Sequence, residues 1–343
     1  MSGPGLGSEG GLPARRDRSW LLGVGISLVA LVVAVWGLNL DAFLGVISGG
    51  NYVLLLPAYV LQIAGIAARA QGWRFLLGRT IPFPRAFAAI NEGYLLNNVL
   101  PFRLGELGRA YLVGHGAGIG ASRALGSIVV ERMIDVSIAV ASVLLTVPLF
   151  TPPGWATQAA IGVGLGVVAL AVLLLVALRT RALWSEWLGR MPGRLGRRLG
   201  DLLGRFFFGL DDARRGRFLL PAAAWLLLGW CCAWVQFEVY LRVFGAQGSL
   251  AVSLFGLGVI ALGGAVPSSP GAVGVIELAG VAALMFLGYP REVALGAVVA
   301  AHLVQYSTTV VLGAVALARE GRSLGDLARA ARRLVARTDE VAP

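Results

Sequence analysis

The sequence predicts an all-α, polytopic integral membrane protein, and three observations support that prediction. Of the 343 residues, 57% are hydrophobic and only 14% are charged, whereas an ordinary globular domain carries about 25% charged residues. The apolar residues form blocks long enough to cross a bilayer as helices, which pair every backbone polar group within the segment. The net charge of +11 is concentrated between these blocks and at the termini, as the positive-inside rule describes.

About eight apolar blocks are predicted to cross the membrane. An even number of crossings places both termini in the cytoplasm, and every Arg-rich loop then falls on that side. We therefore expect a multi-pass protein of a bacterial or archaeal inner membrane. The predicted spans are residues 20–38, about 52–70, about 126–150, 156–178, 218–244, 251–267, 273–289 and 292–318.

Residues 86–101 are apolar but are interrupted by asparagines and a glutamate and closed by Pro101. They are too polar and too short for a simple span, which favours a re-entrant or interfacial helix.

The segments around the transmembrane domain, residues 20–318, are basic. Residues 1–19 are rich in Gly, Pro and Ser, so we expect a disordered cytoplasmic tail. No small-residue cleavage site follows the first apolar block, which predicts a retained helix. Residues 179–217 hold ten arginines against four acids, which predicts a cytoplasmic loop with amphipathic helices on the membrane surface. Residues 319–343 form a basic cytoplasmic tail.

Several classes of function lack the residues they need. The chain has no lysine, which excludes Schiff-base chemistry and lysine-based phosphate loops. Cys231 and Cys232 are adjacent in an apolar block, and neither histidine lies near them, so we expect neither a disulfide framework nor a metal site. No aromatic-basic platform accompanies the arginines, so we expect no nucleic-acid partner. We also expect no cofactor and no enzyme activity.

The first cluster of ionisable residues is NNVLPFRLGELGRAYLVG, residues 97–114. Two arginines bracket one glutamate at spacings of three, which places all three near one helical face. Guanidinium groups suit the phosphate of an anionic lipid head group, held by bidentate contacts. A salt-bridged helix at the cytoplasmic interface is the alternative. The candidate residues of this cluster are Asn98, Pro101, Arg103, Gly105, Glu106 and Arg109.

The second cluster is VVERMIDV, residues 129–136. Glu131 and Asp135 are four residues apart and share a helical face, and Arg132 lies three residues before Asp135. These charges open a long apolar run, where ionisable groups are costly and often functional. The alternative is a buried ion pair that joins helices.

The third cluster is GGAVPSSPGAVGVIELAG, residues 263–280. Prolines and glycines interrupt an apolar region, and broken helices at membrane depth occur where they meet protein or a watery cavity. The free N–H groups at the start of a half-helix can hold an anion. An ordinary cytoplasmic turn is the alternative. The candidate residues here are Pro267, Gly271, Gly274 and Glu277.

Two other polar positions are interpreted as structural. Glu238 and Arg242 predict a local salt bridge at a spacing of four. His302, within the last predicted span, is interpreted as a helix-packing residue.

The first and third clusters share an order of residues, with a proline followed by a glycine and a glutamate. Paired, broken hydrophobic segments in two halves of a chain are typical of transporters with a binding site near the midplane. The pattern predicts an inverted repeat and a polar cavity between the two broken segments, faced by Glu106, Glu131 and Glu277.

Together, these three motifs resemble the motif series of the lysylphosphatidylglycerol synthase transmembrane-region family, the flippase-like YbhN/AglD-type membrane proteins. The resemblance covers roughly residues 20–320. The third motif departs from the family's tighter glycine pattern, since Ala272 and Val273 separate Gly271 from Gly274.

The resemblance implies a cell-envelope protein that resembles a lipid flippase, with membrane lipids as partners. Some relatives add a soluble aminoacyl-transfer domain. The chain ends at Pro343 without one, so we expect it not to synthesise the lipid. We expect membrane lipid translocation, with Arg103 and Arg109 on the head-group phosphate. The alternatives are an accessory protein of a lipid-linked glycosyltransferase, with an envelope-lipid enzyme as partner, and an ion-coupled small-solute transporter.

Overall fold

The structure is a computed structural model that describes residues 19–99, 104–116, 118–150, 218–264 and 268–321, with residues 323 and 325. These residues form helices and no strand, which confirms the predicted all-α class. Two 3-10 turns cover Tyr52–Leu54 and Pro270–Ala272. The α-helices are α1 Ser19–Val35, α2 Leu40–Ser48, α3 Leu55–Leu76, α4 Phe83–Val99, α5 Leu104–Gly116, α6 Ala121–Phe150, α7 Leu219–Val243, α8 Leu250–Gly263, α9 Val275–Phe286 and α10 Arg291–Arg319.

Four described helices are long and apolar enough to cross a membrane, namely α3 with its preceding turn, α6, α7 and α10. They correspond to the predicted spans 52–70, 126–150, 218–244 and 292–318. The pair α1 and α2 passes the same test as one broken span, bent by 87°. The count of eight crossings is not confirmed. The predicted span 156–178, the loop 179–217 and most of both tails lie outside the described residues.

Small residues let the long helices α3 and α7 pack closely. A Cβ on Gly229 would lie 3.3 Å from the carbonyl oxygen of Gly65, and one on Gly72 would lie 3.1 Å from that of Ala222. Because lipid tails are as apolar as leucine, helix association in a bilayer depends on such close contact. The outward-facing side chains of the long helices are large and apolar, for example Leu145, Leu220 and Leu303.

The bundle has two ends, which we name by the termini of α10. At the Arg319 end, Arg85 of α4 forms an ion pair with Glu320, and the rings of Phe75 and Phe218 pack with centroids 6.4 Å apart. At the Arg291 end, Arg291 donates a hydrogen bond to the carbonyl oxygen of Trp36. Each end therefore brings together residues from distant parts of the chain.

Helices α4 and α5 form an antiparallel pair, which we call the first hairpin. Their backbones touch at two glycines, because a Cβ on Gly105 would lie only 1.9 Å from the carbonyl oxygen of Gly93. The amide of Gly105 donates to Oδ1 of Asn97, 2.8 Å away, nearer the turn. The hairpin starts at the Arg319 end, where Arg85 lies, and runs along α10. The described part of the polar segment, residues 86–99, therefore lies in α4 and pairs with α5 in a hairpin.

Helices α8 and α9 form a second antiparallel pair, which we call the second hairpin and which includes the turn Pro270–Ala272. Their contact includes Gly263 against Ala279 and Gly280 against Ile260. The predicted spans 251–267 and 273–289 are shorter here, with 14 residues in α8 and 12 in α9. At 1.5 Å per residue these helices measure about 21 and 18 Å, less than the roughly 30 Å hydrocarbon core. The hairpin starts at the Arg291 end, where Tyr289 donates to the carbonyl oxygen of Gln247.

Candidate functional site

The tips of the two hairpins meet near the middle of α10. Tyr306 lies 15 residues from the start of that 29-residue helix. Its hydroxyl donates to the carbonyl oxygen of Asn98 at the end of α4, 2.6 Å away. A Cβ on Gly271, in the turn of the second hairpin, would lie 2.6 Å from the Tyr306 ring. Asn98 also donates from Nδ2 to Thr309 at 2.9 Å. The two hairpins thus approach from opposite ends and reach about half of the bundle's depth.

One group of charged residues lies between α3, α5 and α6, and we call it the arginine–carboxylate cluster. Glu131 and Asp135 share one face of α6, as their spacing predicts. Arg69 of α3 contacts both, with Nη1 2.8 Å from Glu131 Oε1 and 2.7 Å from Asp135 Oδ2. Its Nη2 donates to Asp135 Oδ1 at 3.0 Å. This fork-to-carboxylate geometry fixes α3 against α6.

Arg109 of α5 also belongs to this cluster, although its partner is not the one that its helix suggests. Its Nη2 lies 2.7 Å from Glu131 Oε2 on α6, and no hydrogen bond or ion pair to Glu106 is found among the described residues. The guanidinium carbon lies 4.3 Å from the ring centroid of Trp73. Trp73 donates to Ser127 at 2.9 Å, which fixes the indole under the guanidinium. The side chain of Arg109 is therefore buried and paired, with the aromatic face as an added cation–π contact.

Arg132 and Glu106 form the open edge of the cluster. Their side chains are 32% and 29% exposed, whereas that of Glu131 is fully buried. Nη2 of Arg132 lies 2.8 Å from Glu131 and 3.0 Å from Asp135. Its Nε lies 3.7 Å from Glu106 Oε1, close enough for an ion pair but too far for a hydrogen bond. The cluster thus sets three arginines, Arg69 included, against three carboxylates, with the loosest pair at its edge.

A second polar site, at the tip of the second hairpin, joins α9 to α10. Glu277 accepts a hydrogen bond from its N-cap, the amide of Gly274, at 2.6 Å. Its other oxygen lies 2.6 Å from Nδ1 of His302, and Nε2 of His302 lies 3.1 Å from the carbonyl oxygen of Gly271. Gly274 has a φ of 88°, and a Cβ there would lie 2.1 Å from the carbonyl oxygen of Ser27. Only glycine fits this approach of α1 to the tip.

The predicted site residues fall into two groups. Glu106, Arg109, Glu131, Arg132 and Asp135 belong to the arginine–carboxylate cluster. Asn98, Gly271, Gly274 and Glu277 belong to the meeting hairpin tips, and Gly105 lies where α4 crosses α5. Within the described residues, the hydrogen bonds of Glu277 go to the second hairpin and α10 and not to the cluster. Pro101, Arg103 and Pro267 lie outside the described residues.

Sequence reasoning missed Arg69 and the pairing of His302 with Glu277. Arg69 lies one residue before the end of the predicted span 52–70, and an ionisable residue inside a span is a candidate functional residue. Trp230 was not among the predicted site residues either, and its indole donates to Asp135 at 3.0 Å. His302 and Glu277 are 25 residues apart on different helices, a distance that no spacing rule covers. The predicted salt bridge between Arg242 and Glu238 is confirmed.

In the described part of the chain, no group of three or more His, Cys, Asp or Glu residues is arranged so that it could hold a metal ion. Each carboxylate of the cluster is compensated by arginine, and the hairpin tips supply amide, hydroxyl and imidazole groups.

Comparison with known proteins agrees with this architecture. A UPF0104 membrane protein of Methanocaldococcus jannaschii is 27% identical over 135 residues, which cover 38% of this chain and 40% of that protein. The chain therefore aligns with about two fifths of this curated relative. The family model described as Lysylphosphatidylglycerol synthase TM region matches residues 20–313. Because this match covers most of the chain, the protein is a multi-pass membrane protein that belongs to the lysylphosphatidylglycerol synthase transmembrane-region family.

Proposed function

We propose that this protein translocates a membrane lipid between leaflets by giving its head group a polar route. One observation carries the proposal, namely that the first and second hairpins extend from opposite ends of the bundle and meet beside Tyr306 of α10. Broken helices of this kind place backbone and side-chain polar groups near the midplane in many transporters. The acyl chains can stay in the bilayer, so only the head group needs these groups. The proposed role is movement and involves no bond-making step.

The open edge of the arginine–carboxylate cluster favours the binding of a lipid head group that carries both a phosphate and an amine. Arg109 is buried against Glu131, so Arg132 is the better phosphate ligand. Since three arginines already balance three carboxylates, a purely anionic head group would leave Glu106 without its cation. A head group with both charges can pair its phosphate with Arg132 and its ammonium with Glu106. The family's name refers to lysylphosphatidylglycerol, a lipid that carries phosphate and amino groups.

We further propose that the Arg319 end faces the cytoplasm of the cell membrane. The arginines near this end include Arg74, Arg79 and Arg123, each on or beside a long helix. An excess of arginine in short loops marks the cytoplasmic side.

The proposal is tested with purified protein in vesicles that contain a fluorescent phospholipid. A membrane-impermeant reductant bleaches only the outer leaflet, so lipid movement appears as additional bleaching. We expect faster movement of phosphatidylethanolamine and lysylphosphatidylglycerol analogues than of a phosphatidylglycerol analogue. Protein that leaves all three lipids in their original leaflets would overturn the proposal.

Single substitutions at the open edge test which side chain binds each charge of the head group. Arg132→Gln removes a charged hydrogen-bond donor worth about 1.5–3 kcal/mol, so movement should slow roughly ten- to hundredfold. Glu106→Gln should slow the amine-bearing lipids and leave phosphatidylglycerol movement little changed. Arg242→Gln, which removes an exposed ion pair near the Arg291 end, is the matched control and should retain the wild-type rate.

A further inference from the structure

The contact between Glu277 and His302 requires a shared proton. Nε2 of His302 lies 3.1 Å from the carbonyl oxygen of Gly271, and a carbonyl only accepts, so Nε2 carries a hydrogen. Nδ1 then lies 2.6 Å from Oε1 of Glu277. Two lone pairs cannot approach so closely, so one proton lies between these atoms. It belongs either to imidazolium beside carboxylate or to neutral imidazole beside carboxylic acid, and both forms are neutral overall.

Loss of this proton would leave His302 with a single N–H. The neutral imidazole could then donate to Glu277 or to the carbonyl oxygen of Gly271, but not to both. Because both acceptors belong to the second hairpin, the hairpin would lose one of its two hydrogen bonds to His302 of α10. The other hydrogen bond of Glu277, from the amide of Gly274, lies within the hairpin and does not involve α10. The proton goes to water, and no other group is oxidised or reduced.

The surroundings offer little other charge to compensate the carboxylate. Helices α1 and α8 carry no ionisable residue, and Ser27 is the polar group that α1 presents to the hairpin tip, through its bond to the Ser269 amide. Helix α10 contributes Tyr306, whose ring lies edge-on to His302 at 5.8 Å. Glu277 and His302 are themselves only 5% and 8% exposed. A net negative charge at this depth is costly, so proton occupancy and hairpin position are linked.

The other helices around α10 bring neutral groups at this level. The α4 tip presents the Asn98 amide, and its carboxylate Glu92 lies six residues further toward the Arg319 end. From α3, Tyr59 contacts Ser307 at 2.9 Å, and from α7, Tyr240 contacts Gln236 at 2.6 Å. Among the contacts of the described residues, the shared proton is thus the charge that neutralises Glu277.

We propose that Glu277 and His302 form a proton-binding site that holds the second hairpin against α10 when occupied and weakens that attachment when empty. Through this site a proton gradient would drive the lipid movement proposed above, and this last step rests on that function. The proton site itself rests on the contacts of His302 with Glu277 and Gly271 and not on any lipid. The pair is therefore testable without any lipid.

The first experiment follows the histidines directly. The chain has two histidines, so protein labelled with nitrogen-15 histidine in lipid nanodiscs gives signals from His115 and His302 alone. A His115→Gln variant assigns them. We expect the His302 signal to change as the pH is raised and the shared proton is lost, and Glu277→Gln to abolish or displace that change. Glu238→Gln, a carboxylate removed elsewhere, should leave it unaltered. A His302 signal that is constant with pH, or identical in Glu277→Gln, overturns the proton site.

The second experiment imposes a pH gradient on vesicles that contain the protein and the fluorescent lipid. One proton per lipid predicts up to about tenfold accumulation in one leaflet for each pH unit of gradient. Glu277→Gln should lose this accumulation. Lipid movement that ignores the gradient overturns the coupling and leaves translocation standing. Protein that moves no lipid overturns the translocation function and the coupling with it, while the histidine signals still decide the proton site.

Discussion

Glu131 is the residue on which the arginine–carboxylate cluster most depends. It is fully buried and contacts Arg69, Arg109 and Arg132. Glu131→Gln would leave three guanidinium groups against two carboxylates, of which only Asp135 is buried, and breaking a buried pair in this way costs about 3–5 kcal/mol. We expect a much lower unfolding temperature for this variant in detergent or nanodiscs.

Glu106→Gln is the matched control, because it removes the same charge from the open edge of the same cluster. Its contact with Arg132 is longer and partly exposed, so the expected loss is at most about 1 kcal/mol. Equal destabilisation by both changes would show that burial and contact number do not set the energetics of this cluster.

The ion pairs of the cluster show what residue spacing along a helix can predict and what it cannot. The shared face of Glu131 and Asp135 and the proximity of Arg132 follow from helical periodicity, and these predictions are confirmed. The partner of Arg109 does not follow from it, because α5 lies against α6 and offers its arginine to another helix. Spacing predicts neighbours within one helix, whereas ion pairs between helices depend on how the hairpins pack.

The first hairpin depends on the close contact of two glycines, one in α4 and one in α5. A Cβ on Gly105 would lie 1.9 Å from the carbonyl oxygen of Gly93, so Gly105→Ala must push α4 and α5 apart. Overpacking of this kind costs about 1–3 kcal/mol or more. We expect a lower unfolding temperature and slower lipid movement, since the hairpin tip at Asn98 would shift.

Gly25→Ala is the control for that change. Gly25 lies in α1 with open space around it, so the added methyl meets nothing within 4 Å. Alanine also favours a helix over glycine, so stability should be unchanged or slightly higher. A Gly105→Ala protein as stable as this control would contradict the tight crossing of α4 and α5.

The second hairpin explains why the predicted spans 251–267 and 273–289 differ from the structure. Both segments are strongly apolar, and apolarity does not record whether a helix crosses the bilayer or turns back within it. The break was visible in the prolines and glycines between them, but a surface turn contains the same residues. The difference is physical: His302 and Tyr306 hold this turn near the middle of α10, through contacts between distant residues.

For the whole molecule, replacing two predicted crossings by a hairpin preserves the predicted sidedness. A hairpin begins and ends on one side, as two successive crossings do. The residues that follow α9 therefore start α10 from the same side in either case, and Arg319 lies at the opposite end. This is why charge counting gives the same orientation of the termini for both topologies, and why it cannot distinguish them.

The depth of the second hairpin's tip does distinguish them. In the hairpin, Gln247 at the Arg291 end and Ser269 in the turn are separated by about the length of α8, roughly 21 Å for its 14 residues. Had residues 251–267 crossed the bilayer, the separation would be about 30 Å or more. Spin labels at Gln247→Cys and Ser269→Cys, in a protein with Cys231 and Cys232 replaced by alanine, can report this separation. We expect pulsed electron–electron double resonance to give a distance near the shorter value.

A third labelling position provides a reference distance for that measurement. Thr80→Cys lies in the exposed turn after α3 at the Arg319 end, so its distance to Gln247→Cys spans the whole bundle. The pair that includes Ser269 should give a clearly shorter distance than this reference pair. Similar distances for both pairs would place the turn at the Arg319 end and remove the meeting of hairpin tips. Because spin-pair distances do not depend on hydration, a water-filled cavity around the tip would not alter the outcome.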